Sequence, residues 1–153
     1  MIKDLFDITS TSTEETEKVG ADLAKKMSDD VSLPGFIAFF GDLGSGKTAF
    51  IRGFASVLSP SSAVRSPTFT IVNEYRGGKI PLFHFDMYRI ESEDDLYSIG
   101  FYDYLSKGIC LCEWSENIEK SLPDEYVKLE ISRSLAPGEE NVRRLRATII
   151  SNE

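Results

Sequence analysis

The feature that most constrains the fold is a glycine-rich loop between an apolar segment and an amphipathic one. Residues 36–40 (FIAFF) form a short, continuous apolar run, which predicts a strand buried on both faces. From Lys47 to Leu58 the apolar residues fall on one helical stripe, and Ser59-Pro60 ends the pattern. The joining segment, GDLGSGKT at residues 41–48, contains glycines that allow tight turning. Its backbone N–H groups and the helix N-terminus predict an anion-binding site.

The loop also matches the Walker A spacing, in which a glycine and four further residues precede Gly-Lys-Thr. Lys47 can reach the β- and γ-phosphates of a nucleotide, and the Thr48 hydroxyl can ligate Mg2+. ATP with Mg2+ is the expected ligand, because the chain has no NKxD-type sequence for reading guanine. The Asp42 side chain does not suit an anion cradle, but its backbone belongs to the predicted nucleotide-binding loop: Gly41, Asp42, Leu43, Gly44, Ser45, Gly46, Lys47 and Thr48.

Two later apolar runs each end in an acid. LFHF leads to Asp86 and ICLC leads to Glu113, so each predicted strand delivers a carboxylate to its C-terminal edge, as in a Walker B element. Hydrolysis requires both a partner for the metal and an oriented water. Both acids are therefore candidate catalytic and metal-binding residues, with Thr48 as a further metal ligand. Spacing does not decide which acid contacts the metal.

Three other positions near these motifs have two interpretations each. In the stretch SSAVRSPTFT (61–70), Ser66, Thr68 and Thr70 can meet Mg2+ or the γ-phosphate as a switch segment, or can simply form a turn around Pro67. Trp114 is either a core residue or a site contact beside Glu113. His84 is interpreted as a packed or hydrogen-bonded strand residue rather than a catalyst.

The remaining elements complete an α/β pattern. Ser12 and Glu15 have capping-box spacing before a helix at about 13–28, and Gly77-Gly78 separates two hairpin strands. The predicted fold is a P-loop NTPase-like three-layer α/β fold, with a mixed central sheet flanked by helices, in a single domain over 1–153. The other predicted elements are strands at 69–76, 80–88, 109–112, 126–132 and 142–150, and a helix at 93–99 that resumes near Tyr102.

Composition limits the classes of function. The formal net charge of -8 disfavours tight direct binding to RNA or DNA, which usually needs a basic surface. The basic cluster Arg143, Arg144 and Arg146 is interpreted chiefly as the solvated face of a late strand.

The two cysteines, Cys110 and Cys112, should point to one face of a strand as buried reduced thiols, since a chain with one histidine is poorly equipped for zinc. No signal peptide and no apolar run of membrane-spanning length appear, so the cytoplasm is the expected location.

Taken together, four motifs resemble the TsaE (YjeE) family of bacterial ATPases: GDLGSGKT, SPTF at 66–69, HFDMYR at 84–89 and EW at 113–114. The resemblance covers nearly the whole chain. It implies a role in making threonylcarbamoyladenosine at position 37 of tRNA, through the proteins TsaB and TsaD. The tRNA would be reached only through that complex, and neither DNA nor a membrane would be a partner.

The resemblance also assigns roles to residues. It implies that Lys47 and Thr48 contact phosphate and Mg2+, and that Thr68 is the switch residue of the catalytic set. Asp86 and Glu113 become metal-linked or catalytic acids, and Trp114 becomes a neighbour of the nucleotide.

Two other classes of function fit the loop. A small-molecule kinase shares the phosphate cradle but needs an arginine-bearing lid, for which Arg65 and Arg89 are the candidates near the motifs. A nucleotide-gated interaction module would use ATP only to order residues 66–70 for a partner.

Overall fold

A computed structural model describes residues 1–41, 46–67 and 70–152. The described residues form seven strands, four α-helices and one 3-10 helix. In chain order these are β1 (Ile2–Ser10), α1 (Thr13–Asp29), β2 (Phe36–Phe40), α2 (Lys47–Leu58), β3 (Val72–Tyr75), β4 (Leu82–Asp86), α3 (Glu93–Ser98), α4 (Phe101–Tyr104), β5 (Ile109–Glu113), the 3-10 helix (Ser115–Ser121), β6 (Glu125–Arg133) and β7 (Arg143–Ser151).

The strands form one mixed sheet in the order β1-β7-β6-β2-β5-β4-β3. The four central strands β6, β2, β5 and β4 run parallel to one another. The hairpin strand β3 and the pair β1 and β7 are antiparallel to their neighbours. The carboxyl ends of β2, β4 and β5 therefore meet at one edge of the sheet, which is where ligands bind in open α/β folds.

Helices cover the sheet on both faces, as the predicted three-layer fold requires. On one face α1 and α2 pack over a core that includes Ile37, Phe39 and Leu111. On the other, α3, α4 and the 3-10 helix pack over Phe83, Phe85 and Cys112. The alternation of side chains along β4 and β5 divides their residues between these two cores.

The structure confirms most of the predicted elements and corrects three regions. The N-terminal strand β1 was not predicted, because its residues are mostly exposed and its apolar alternation is weak. The predicted strand 69–76 begins only at Val72, because Thr70 lies in a turn and Ile71 has a positive φ of 69°. Residue 69 lies outside the described residues. The 3-10 helix after Trp114 was also not predicted.

Helix α1 begins as its sequence predicts and packs closely on α2. The Ser12 side chain accepts a hydrogen bond from Glu15 N, and the Glu15 carboxylate accepts one from Thr11 N at 2.6 Å. The two helices approach so closely that backbone atoms occupy the space that a side chain would need at their glycines. A β-carbon built on Gly53 would lie 1.8 Å from the carbonyl oxygen of Glu17.

We expect Gly53→Ala to destabilise the fold by about 3 kcal/mol or more, because the added methyl group must push α1 away from α2. For a chain of this length that corresponds to a fall in Tm of roughly 6–12 °C. The matched control is Gly35→Ala, since a β-carbon there would meet its nearest atom at an ordinary 3.9 Å. Thermal unfolding followed by circular dichroism measures both variants. Equal Tm values for the two variants would contradict the close helix packing.

The two cysteines behave as the sequence predicts. Cys110 and Cys112 are free and buried on the same face of β5. Burial raises the pKa of Cys110 to about 12 and raises that of Cys112 further. Since the thiolate is the reactive form, both thiols should be unreactive in the folded protein.

A thiol-reactive disulfide reagent at about pH 8 should therefore modify neither cysteine over minutes in the native protein. Both should react at once in concentrated guanidinium chloride, which serves as the positive control. Rapid labelling of either native thiol would contradict the burial of the β5 face.

Across the described residues, no helix has the length and apolar character needed to cross a membrane.

Candidate functional site

The site lies at the carboxyl edge of the central strands, beside the start of α2. Strand β2 ends at Phe40 and is followed by Gly41, while α2 begins at Lys47. Strands β4 and β5 end at Asp86 and Glu113, and these two residues are direct partners in the parallel ladder. The topology thus brings three of the predicted motifs to one place.

Both described ends of the glycine-rich loop have backbone conformations that favour glycine. Gly41 has a φ of 139°, and a β-carbon there would lie 2.1 Å from the carbonyl oxygen of Ile131 on the neighbouring strand. Gly46 has a φ of 106° and occupies the N-cap of α2 without a side-chain hydrogen bond to the cap. The other predicted loop residues, Asp42, Leu43, Gly44 and Ser45, lie outside the described residues. The N-terminus of α2 therefore presents backbone donors and a positive dipole end at this edge.

Lys47 is a buried cation whose neighbours suit an anionic ligand. Its side chain donates a hydrogen bond from Nζ to the carbonyl oxygen of Gly41 at 2.8 Å, and Nζ lies 5.2 Å from the centroid of the Trp114 ring. Only 7% of the residue is exposed. No carboxylate of the described chain pairs with it, and a buried charge normally requires an opposite charge. Thr48, the next residue of α2, is exposed.

The two predicted acids are held differently. Asp86 Oδ1 accepts a hydrogen bond from Tyr88 N at 3.0 Å, which fixes the turn after β4. Glu113 Oε2 contacts His84 Nε2 at 2.5 Å, and the Glu113 side chain is 14% exposed. The second carboxylate oxygen of each acid, Asp86 Oδ2 and Glu113 Oε1, has no hydrogen-bond partner among the described residues. Both acids thus keep one oxygen available at the carboxyl edge of β4 and β5.

The structure confirms the interpretation of His84 as a packed or hydrogen-bonded strand residue. The residue is fully buried, and its two ring nitrogens contact Glu113 and the Tyr75 hydroxyl. Tyr75 was not singled out from the sequence at all. The sequence contained one signal for the role of His84: side-chain alternation along β4 places His84 and Asp86 on the same face.

Trp114 is a site neighbour by position. It adopts a left-handed conformation, with φ 58° and ψ 41°, which is uncommon for a residue other than glycine. Its ring lies 5.0 Å from the Tyr88 ring, centroid to centroid, and faces Lys47. Tyr88 and Glu116 were not among the predicted site residues, and Glu116 Oε2 lies 3.5 Å from Gly41 N.

The stretch proposed as a switch segment is only partly described. Thr68 lies outside the described residues, so its predicted role stays a prediction. Thr70 donates a hydrogen bond to Asn73 Oδ1 at 2.8 Å. Ile71 N is held by the carbonyl oxygen of Pro67, and Ile71 O accepts from Asp86 N, each at 2.8 Å. The kinase candidates Arg65 and Arg89 are both exposed.

The three arginines of the basic cluster on β7 lie in two different environments. Arg144 and Arg146 are exposed and form ion pairs with Asp7 and Asp4 of β1, in agreement with a solvated face. Arg143 instead lies beside the loop, where a β-carbon built on Gly46 would be 3.8 Å from Arg143 Cγ and Nε.

These residues fit a nucleotide phosphate with Mg2+ better than a metal held by protein alone. The described residues contain no group of three or more His, Cys, Asp or Glu side chains arranged to hold a metal. Mg2+ characteristically binds through one or two carboxylates, waters and substrate phosphates. Asp86 and Glu113 with the Thr48 hydroxyl match that donor set, and Lys47 with the α2 N-terminus matches the phosphates.

Comparison with known proteins identifies the family of the chain. The family model described as "Threonylcarbamoyl adenosine biosynthesis protein TsaE" matches residues 10–142. The TsaE protein of Bacillus subtilis (strain 168) is 41% identical over 123 residues, covering 79% of this chain and 73% of that protein. TsaE of Treponema pallidum (strain Nichols) is 31% identical over 134 residues, covering 87% and 95%.

A solved structure is similar to this chain in fold as well as in sequence. The crystal structure of Bacillus subtilis YdiB superposes with a TM-score of 0.74 at 33% identity, covering 99% of this chain and 89% of that one. The family match spans β2, α2, β4 and β5, the elements that position the site. The chain belongs to the TsaE family.

Proposed function

We propose that this chain is a Mg2+-dependent ATPase that supports formation of N6-threonylcarbamoyladenosine at position 37 of tRNA. The observation that carries the proposal is Lys47, a buried cation at the N-terminus of α2 with no carboxylate partner in the described chain. A triphosphate would supply negative charge to this buried cation. The names of its relatives supply the pathway, since they are called tRNA threonylcarbamoyladenosine biosynthesis proteins.

In this proposal each residue of the site has its own role. Lys47 and the amides at the start of α2 bind the phosphates and neutralise charge that develops on them. Bound Mg2+ would supply positive charge that offsets the negative charge developing on the phosphates. In this proposal Thr48 and Asp86 would hold it. Glu113 orients the attacking water through Oε1, the oxygen that His84 leaves available.

We assign the partners TsaB and TsaD from the same family membership. The overall charge supports an indirect relation to tRNA, because a chain with a net charge of -8 repels a polyanion unless a basic patch dominates. Two of the three clustered arginines are already paired with aspartates. The chain would therefore act on the TsaB-TsaD assembly rather than on the nucleic acid.

The test measures phosphate release from Mg-ATP by the purified chain, alone and with TsaB-TsaD, and t6A formation on tRNA by mass spectrometry of nucleosides. We expect slow release alone, faster release with the complex, and sustained t6A synthesis only when all three proteins and ATP are present. Transfer of the γ-phosphoryl group to a metabolite without phosphate release would instead identify a kinase. No binding to the complex and no stimulation would contradict the assigned partnership.

A further inference from the structure

A chain of hydrogen bonds runs under the site from Glu113 to the backbone of Arg65. Glu113 Oε2 contacts His84 Nε2 at 2.5 Å, and His84 Nδ1 contacts the Tyr75 hydroxyl at 2.9 Å. The same hydroxyl lies 3.2 Å from Arg65 N and 3.0 Å from Arg65 O. Three strands contribute to it, since Tyr75, His84 and Glu113 belong to β3, β4 and β5. The contacts therefore connect a strand-end acid to a loop two strands away.

The donors and acceptors of this chain are mutually consistent. A carboxylate only accepts, so His84 Nε2 donates to Glu113, and in the neutral imidazole this leaves Nδ1 as an acceptor. The Tyr75 hydroxyl has one proton, which it donates either to Nδ1 or to Arg65 O, and it accepts from Arg65 N–H. Burial raises the pKa of Tyr75, which keeps its phenol protonated as a donor. Arg65 O retains a second donor in Asn73 Nδ2, at 3.0 Å.

Burial makes the arrangement specific. His84 is 0% exposed and Tyr75 is 4% exposed, so water does not replace a contact that either side chain loses. A buried donor or acceptor without a partner is strongly unfavourable, which favours this one arrangement of the imidazole. The position of the ring in turn fixes Oε2 of Glu113 and directs the carboxylate toward the edge of the sheet.

The other end of the chain leads into the stretch that contains the SPTF motif. The Arg65 peptide group is held by Tyr75 and Asn73, and Asn73 also accepts from Thr70. Beyond it, Ile71 has a φ of 69°, an unfavourable value for a β-branched residue, and its carbonyl accepts from Asp86 N. The stretch is thus connected to Glu113 at one end and to the Asp86 backbone at the other.

We propose that His84 is a positioning residue for Glu113, and that Tyr75 couples the His84–Glu113 pair to the backbone of Arg65. A shift of that backbone when nucleotide or a partner binds would move the Tyr75 hydroxyl and, through His84, the carboxylate. The inference deepens the proposed ATPase and rests on it. It assigns His84 no contact with the substrate.

The variants test the two halves of the hydrogen-bond chain, His84–Glu113 and Tyr75–Arg65, separately. His84→Leu removes both contacts, and His84→Gln keeps an amide donor near the position of Nε2. Tyr75→Phe removes only the coupling hydroxyl. The matched control is Tyr104→Phe, which removes a hydroxyl on the opposite face of the sheet, where Tyr104 packs on Phe83 and Phe85.

Single-turnover hydrolysis of Mg-ATP gives the rate, Trp114 fluorescence gives nucleotide affinity, and thermal unfolding verifies the fold. We expect His84→Leu to lower the rate by about 10- to 100-fold with affinity changed by less than about threefold. His84→Gln should recover part of the rate. Tyr75→Phe should lower the rate and Tyr104→Phe should not.

Wild-type turnover in the His84→Leu and Tyr75→Phe variants would overturn the positioning role while leaving the proposed function intact. Parallel loss of affinity, rate and Tm, with no recovery in His84→Gln, would also overturn it in favour of a purely structural role. Absence of nucleotide binding by the wild-type chain would instead contradict the proposed function itself.

Discussion

Glu113→Gln should lower the rate of ATP hydrolysis by about 10²- to 10⁴-fold while Mg-ATP still binds. The amide matches the carboxylate in shape and its oxygen can still accept from His84 Nε2, so the local structure should persist. What it loses is the negative charge that orients and activates water. Phosphate release under single-turnover conditions measures the rate, and calorimetry measures the binding.

Two further variants make this experiment decisive. Glu119→Gln is the matched control, because it removes the same charge from an exposed position on the nearby 3-10 helix. Asp86→Asn should reduce the effect of Mg2+ on nucleotide binding, with a smaller change in the affinity for the metal-free nucleotide. Wild-type turnover in both Glu113→Gln and Asp86→Asn would favour a module that binds ATP without needing these acids.

Lys47→Ala should weaken Mg-ATP binding by about 10- to 100-fold, equivalent to about 1.5–3 kcal/mol for a hydrogen bond to a charged group. The Lys47 ammonium lies under the Trp114 ring and beside Gly41, so its loss removes the buried positive charge of the site. Equilibrium titration followed by Trp114 fluorescence or by calorimetry measures the change.

Arg52→Ala controls for loss of a positive charge from α2. Arg52 lies in the same helix but is 53% exposed and pairs with Glu17. It should bind nucleotide as the wild type does. Equal affinities for Lys47→Ala and the wild type, with both proteins folded, would place the phosphates elsewhere.

Sequence pattern was sufficient for the elements that carry the proposed phosphate site. The continuous apolar run of β2 and the helical stripe of α2 are strong periodic signals, and the glycines between them have few structural alternatives. The acids at the ends of β4 and β5 were also predicted individually. Their adjacency was not, because the pairing of Asp86 with Glu113 depends on strand order, which single-strand patterns do not contain.

The parts that pattern missed depend on tertiary contacts. Strand β1 is stabilised by pairing with β7 along an exposed edge, so its own residues show little apolar alternation. The roles of His84 and Tyr75 arise from contacts among three strands. From the sequence, Arg143 was grouped with its neighbours on β7. Because side chains alternate along a strand, Arg143 lies beside Gly46 while Arg144 faces solvent.

A calorimetric titration of the wild-type chain with Mg-ATP, with Mg-AMP as the comparison, tests whether the chain binds a triphosphate. We expect saturable binding of one Mg-ATP per chain and much weaker binding of Mg-AMP, because in the proposed site Lys47 and the N-terminus of α2 recognise the β- and γ-phosphates. Absence of saturable heat from protein that circular dichroism shows to be folded would contradict it.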